Sequence, residues 1–190
     1  MSERLEVRPF ESPAEYAAMI DYFVGADPAF LRGMGVDPAR LPVRAAWLAS
    51  VLADHERPDS QRARIYLAWL VDGVLAGHSS ASHIEVGVQA HVHLHLWQRD
   101  LRRSGRGTLL FARSIEHYFE RLGLARVVCE PSAANPGPNR TLARLGFRCV
   151  RTYRTVPTNM ALEQDVSRYE ITRAEWAQRW SALNRPSSRG

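Results

Sequence analysis

Residues 89–130 constrain the fold more than any other stretch. Gln89 to Trp97 alternates apolar and polar residues, and a polar, glycine-containing segment follows it. Gly107 to Leu122 then carries the spacing of an amphipathic helix, and Arg126-Val127-Val128-Cys129-Glu130 reads as a buried strand. Strand, helix and strand in that order form a crossover whose two strands pair in parallel. The chain is therefore read as mixed α/β.

The flanking elements fit that reading. Leu5 to Phe10 alternates and ends at proline, giving a first strand. Ser12-Pro13-Ala14-Glu15 is a capping box with proline at the first helical position, opening a helix toward Phe23. Asp27-Pro28 and Asp37-Pro38 are turn or cap signals, and a second helix is expected over residues 43–54. Arg64 to Val71 and Val74 to His83 read as a hairpin joined by Asp72-Gly73. Asn135-Pro136-Gly137-Pro138 starts a short helix that stops at Gly146, and residues 147–155 and 165–172 close the sheet. Residues 174–180 suggest a helical turn or two. The expectation is one domain over residues 1–180, with six to seven strands and about four helices, and a flexible tail over 181–190.

At 190 residues there is no length for a second core. No window holds the ~18 uninterrupted apolar residues of a spanning helix, and the first residues lack the build of a secretion signal. A cytoplasmic protein that does not engage membranes is expected. All 25 basic residues are arginine, and they are scattered among the acids. No block of like charge resembles a nucleic-acid arm, so no nucleic-acid partner is expected. Two cysteines, Cys129 and Cys149, lack both disulfide and metal spacing and read as buried thiols.

The segment Leu101-Arg102-Arg103-Ser104-Gly105-Arg106-Gly107-Thr108 lies between a strand and a helix. Its glycines let the backbone approach a ligand, and the first amides of the helix form a seat for a pyrophosphate. It is not a P-loop, since no Gly-Lys-Ser/Thr ends it. It also departs from the dinucleotide fingerprint, which needs three glycines in the first strand–helix turn. Arg102-x-x-Gly105-x-Gly107 resembles the Q/R-x-x-G-x-G/A signature of the Gcn5-related N-acetyltransferase (GNAT) superfamily. Asn135, followed eleven residues later by Gly146-Phe147, is similar to that family's second landmark. The resemblance covers roughly residues 5–172. It implies acetyl-CoA as acyl donor, a primary amine as acceptor (a small molecule or a peptide N-terminus), and direct attack in a ternary complex. It implies that backbone groups of His95, Leu96 and Trp97 hold the pantetheine arm, and that amides of Arg103, Ser104, Gly105, Arg106, Gly107 and Thr108 hold the pyrophosphate. Asn135 and Asn139 would sit near the thiol end. No metal is expected, and the resemblance allows a homodimer.

In His91-Val92-His93-Leu94-His95-Leu96-Trp97 the histidines face one way and the apolar residues the other. An ammonium must lose a proton before it attacks a thioester, and imidazole suits that task. Serotonin N-acetyltransferase, a GNAT enzyme, carries a His-x-His pair on this strand. By that likeness His91 and His93 are the candidate bases, and the His95 amide is a donor to the thioester carbonyl. A solvated polar face and a zinc site are competing readings of the same histidines. The tyrosine that reprotonates the thiolate in many GNAT enzymes corresponds to Leu142, which leaves Tyr153 or Tyr118 as the candidate acid. That substitution also keeps open a CoA-binding module without catalysis. Glu130 reads either as a partner for a histidine or ammonium or as a surface carboxylate.

Overall fold

The computed structural model describes residues 3–102 and 104–183. Seven strands form one sheet in the order β1-β2-β3-β4-β5-β7-β6. They are β1 Leu5–Pro9, β2 Arg64–Val71, β3 Val74–Glu85, β4 Gln89–Leu96, β5 Arg126–Cys129, β6 Arg148–Thr155 and β7 Gln164–Thr172. β4 and β5 are parallel, as the crossover requires, and the other neighbours pair antiparallel. The β2–β3 turn holds Asp72 at φ 50 and Gly73 at φ 80, the two positive values a tight two-residue turn needs.

Among the described residues six α-helices flank the sheet rather than about four: α1 Pro13–Val24, α2 Pro28–Gly33, α3 Arg44–His55, α4 Arg106–Leu122, α5 Pro136–Arg144 and α6 Arg173–Leu183. The two additions are short or late in the chain. The Asp27 carboxylate caps α2 by accepting from the amides of Ala29 and Phe30. α6 is a full helix that continues past residue 180. Trp176 anchors it with an indole N–H donated to Glu116 of α4 at 2.6 Å. Pro38–Arg40 and Asp59–Gln61 add two 3₁₀ turns. The residues after 183, where a tail is expected, lie outside the described residues.

Two apolar clusters sandwich the sheet. On one face Phe111, Ile115, Phe119 and Leu122 of α4 pack on Ile65, Leu67 and Trp69 of β2, with Leu142 of α5 and Trp176 of α6. On the other, Tyr16, Ile20 and Phe23 of α1 and Trp47 and Val51 of α3 cover Tyr66, Ala68 and Leu70. The alternation of β2 serves both clusters, since successive side chains point to opposite faces.

Candidate active site

The site begins where β4 and β5 part. They pair only at Gln89–Arg126, Ala90–Val127 and His91–Val128. Beyond that, β4 stays with β3 as far as Leu96, whereas β5 ends before Pro131, which has no N–H for a ladder. Ser132 is instead bridged to Val166 of β7. The opening forms a cavity of about 740 Å³ that passes through the sheet. Leu94, Leu96, Gly107, Asn135 and Leu142 line it toward α4 and α5; Tyr22, Phe30, Met34, His93, His95 and Met160 line it toward α1 and α2.

Strand geometry decides which backbone groups face the gap. In an antiparallel ladder a residue points its N–H and C=O at the same neighbour, and successive residues alternate. Trp97 donates its N–H to the Ala76 carbonyl of β3 at 2.9 Å, and the register runs unbroken from Gly77–Leu96 to Ser82–His91. His91, His93 and His95 therefore commit their backbone groups to β3, and Val92, Leu94 and Leu96 point theirs at β5. The His95 and Trp97 amides thus lie inside the sheet, and those of Leu94 and Leu96 are the ones at the opening.

The amino end of α4 abuts the same opening. Gly105 takes φ 85 as its N-cap, and no side chain caps the first turn. A β-carbon on Gly107 would lie 3.5 Å from the Leu96 side chain, so the first free amides and the positive end of the helix sit at the end of β4. The arginines that flank these glycines engage protein groups. Arg106 turns away to form a two-pronged pair with Glu3 at 2.7–2.8 Å. Arg102 donates to the Leu96 carbonyl at 3.0 Å and lies over the Phe30 ring. Arg103 lies outside the described residues. Asn135 caps α5, its side-chain oxygen accepting from the Gly137 amide at 3.2 Å. Asn139 ties the same turn by donating to the carbonyls of Ser132 and Asn135.

The histidine face is half-buried rather than fully solvated, with α1 packed over His95. His95 stacks on His78 with ring centres 4.9 Å apart, and Tyr22 and Phe23 meet it edge-on. Burial, with the positive charge of Arg64 second, pushes His93 down to about 3 and His95 to about 4. Burial likewise holds His78 well below its ordinary value. His93 lines the cavity, and its Nε2 lies 3.2 Å from the Ser82 hydroxyl. His91 lies off the cavity, with Nδ1 3.6 Å from Glu130. Among the described residues no group of three histidine, cysteine or acidic side chains is placed to hold a metal ion.

Glu130 lines the cavity with its side chain 9% exposed. It accepts from the Tyr153 hydroxyl at 2.6 Å and from Arg168 at 2.9 Å. Tyr153 thus meets the cavity only through Glu130. Desolvation and the Glu130 carboxylate both raise its phenol. Tyr118 is buried in the core against Ser79, far from the role of an acid. Leu142 is fully buried at the cavity wall, and desolvation pushes the Cys129 thiol up, which keeps it protonated. Sequence reasoning passed over Arg64, His78, Ser82 and His83. The run His78-Ser79-Ser80-Ala81-Ser82-His83, polar residues on a central strand, was the available signal.

Among the described residues no helix is long and apolar enough to cross a membrane. No curated protein sequence matches the chain. Several solved structures share its fold. RimJ of Mycobacterium smegmatis in complex with CoA-disulfide superposes with a TM-score of 0.72 at 19% identity, over 95% of this chain and 90% of that one. The ribosomal-protein-S5-alanine acetyltransferase of Vibrio fischeri gives 0.67 at 17%, over 90% and 94%. Aminoglycoside acetyltransferase AAC(6′)-Ib in complex with coenzyme A gives 0.69 at 14%, over 92% and 98%. The model of the acetyltransferase (GNAT) domain matches residues 4–148. With that match over more than half its length, the chain belongs to the GNAT acetyltransferase family and is an acyl-CoA-dependent N-acetyltransferase.

Proposed function

We propose that the protein transfers an acetyl group from acetyl-CoA to a primary amine by direct attack in a ternary complex. The observation that carries this reading is the cavity running through the sheet at the β4–β5 gap. Donor and acceptor can enter such a passage from opposite faces and meet in its middle. On the α4 side, the free amides of the first helical turn would receive the pyrophosphate, and the gap-facing groups of Leu94 and Leu96 would hold the pantetheine arm. The Leu94 amide, in place of the His95 amide, would polarise the thioester carbonyl. On the α1–α2 side His93 faces the amine directly, and Glu130, steadied by Tyr153 and Arg168, would attract its ammonium form. His91 would act behind Glu130.

Arg64, Arg102, Arg140 and Arg144 line the cavity, and Glu130 is its one carboxylate among the described residues. That balance favours an acceptor with a single positive charge, such as a peptide N-terminus, over a polyamine. The fold neighbour from Vibrio fischeri, named for an alanine of ribosomal protein S5, supports the same class.

The test is calorimetric titration with acetyl-CoA of the wild type and of Gly107→Asp. The variant places a carboxylate in the first turn of α4, which suits the helix dipole but repels a pyrophosphate. Micromolar binding by the wild type, weakened at least tenfold in the variant, is expected. Absence of wild-type binding to acetyl-CoA refutes the reading. Release of free thiol with peptides beginning in Ser or Ala, compared with polyamines, then tests the acceptor class.

A further inference from the structure

Acetyl transfer to an ammonium releases one proton overall. The C–N bond forms and the thioester C–S bond breaks; the nitrogen loses two protons, one ending on sulfur and the other reaching solvent. His93 lines the cavity and is positioned to take the second, but while donor and acceptor fill the cavity there is no water on that side to receive it, and so it needs an outlet.

The structure contains one. His93 Nε2 lies 3.2 Å from Ser82 Oγ, and the same hydroxyl lies 3.3 Å from His83 Nδ1. Ser82 is buried and His83 is exposed. Ser82 and His83 are adjacent in β3, and adjacent strand side chains normally point to opposite faces. His83 escapes that rule because its φ is 48, a left-handed value unusual for a residue with a β-carbon. It stands where the β3–β4 register breaks, between Ser82 and Glu85. The unfavourable backbone swings the His83 ring back to the Ser82 hydroxyl. Strain at a residue joined through one hydroxyl to the cavity residue His93 points to a function for the strain.

We propose that His93, Ser82 and His83 form a proton relay that carries the acceptor's proton from the cavity to solvent, with His83 as its exit. The proposal rests on the acetyl-transfer reading above. His93 Nδ1 accepts the amine proton as its Nε2 proton passes to Ser82 Oγ; the hydroxyl proton passes to His83 Nδ1, and His83 releases a proton to water. Once product leaves, His93 loses its Nδ1 proton to water entering the cavity and regains one at Nε2 through the chain. His93 never has to persist as an imidazolium. That agrees with its surroundings: burial, Arg64 from β2, His91 and His95 from β4 and His83 from β3 all disfavour its charged form. A relay needs a ring that hands a proton on, not one that keeps it. His91, whose ring centre lies 5.0 Å from His83, approaches the same exit from the Glu130 side.

Two measurements test the relay. Long-range ¹H–¹⁵N spectra of histidine-labelled protein at pH 7.5 should show His93 protonated at Nε2 and His83 bare at Nδ1. The opposite tautomer at His93 overturns the proposal. Single-turnover acetyl transfer to a peptide beginning in Ser is then followed in dilute buffer. His83→Asn tolerates the left-handed backbone and should slow transfer roughly tenfold, less than the ~10²–10⁴ of a direct acid–base group, because water partly substitutes. Added imidazole should restore the rate. Ser82→Ala should be slow and unrescued, while Ser82→Thr retains the hydroxyl and the rate. An unchanged rate in His83→Asn, or a loss that imidazole does not repair, overturns the relay. If the wild type transfers to no probe, the acetyl-transfer reading fails separately, and the tautomers still decide whether the hydrogen-bonded chain exists.

Discussion

Lowering the pH from 7.5 to 5 should destabilise this protein through histidines that the fold holds neutral. A free histidine titrates near 6.5, whereas His93 and His95 in the fold stay neutral down to about 3 and 4. Their folded values are depressed, so their contribution to stability is fully present above 6.5. It is lost as the pH falls from there toward 4, because only the unfolded chain takes up the protons. At pH 5 the unfolded chain lies about 1.5 pH units below its titration point. Each histidine then costs about 2 kcal/mol, or about 4 kcal/mol for the pair, with His78 adding in the same direction. For a chain of this size that is roughly 8–16 °C in Tm. The carboxylates that are lowered in the fold, such as Glu15 and Asp59, start from 4.5 and 3.8 and act below this window. Thermal melts at both pH values, on the wild type and on a His93→Gln, His95→Gln double variant, check the argument. The variant should lose about half or more of the shift. A Tm constant within about 2 °C across the range, or an equal shift in the variant, would mean that the histidine face is wet and the reasoning wrong.

Two further substitutions probe the walls of the cavity. A β-carbon on Gly77 would lie 2.4 Å from the His95 carbonyl oxygen and 3.1 Å from the Leu96 α-carbon. Both are backbone atoms, so Gly77→Ala must push β3 from β4. A loss of about 1–3 kcal/mol in urea unfolding, with weaker acetyl-CoA binding, is expected; a loss under about 0.5 kcal/mol counts against the packing. Tyr153→Phe removes one hydrogen bond from Glu130 and leaves that of Arg168. Turnover measured by thiol release should fall only a few-fold; a fall of ~10² or more, the range for loss of an acid–base group, would make Tyr153 the acid itself.

Much of the layout is written in local sequence. The Asp72-Gly73 turn, the alternation of residues 89–97, the glycines at the start of α4 and the cap of α5 all appear where short-range rules place them. α2 and the full length of α6 were missed. The first is a single capped turn and a half, and the second is held by Trp176 on α4, a contact 60 residues away in sequence. The grouping of His91, His93 and His95 on one face follows from the two-residue period of a strand.

What each histidine does was decided by tertiary structure. Periodicity says that side chains share a face, but not what covers it; α1 packs over His95, and the surroundings leave His93 and His95 as weakly basic, neutral rings. Nor does alternation reveal which edge of β4 is left unpaired. That edge depends on β3 taking the carbonyls and amides of the histidines, and on β5 stopping before Pro131, so the gap belongs to the backbone of Leu94 and Leu96. The link from His93 to His83 depends on one left-handed residue at a break in register. Side-chain period is a property of a single strand, whereas burial, pairing edge and register arise only when distant strands and helices are brought together.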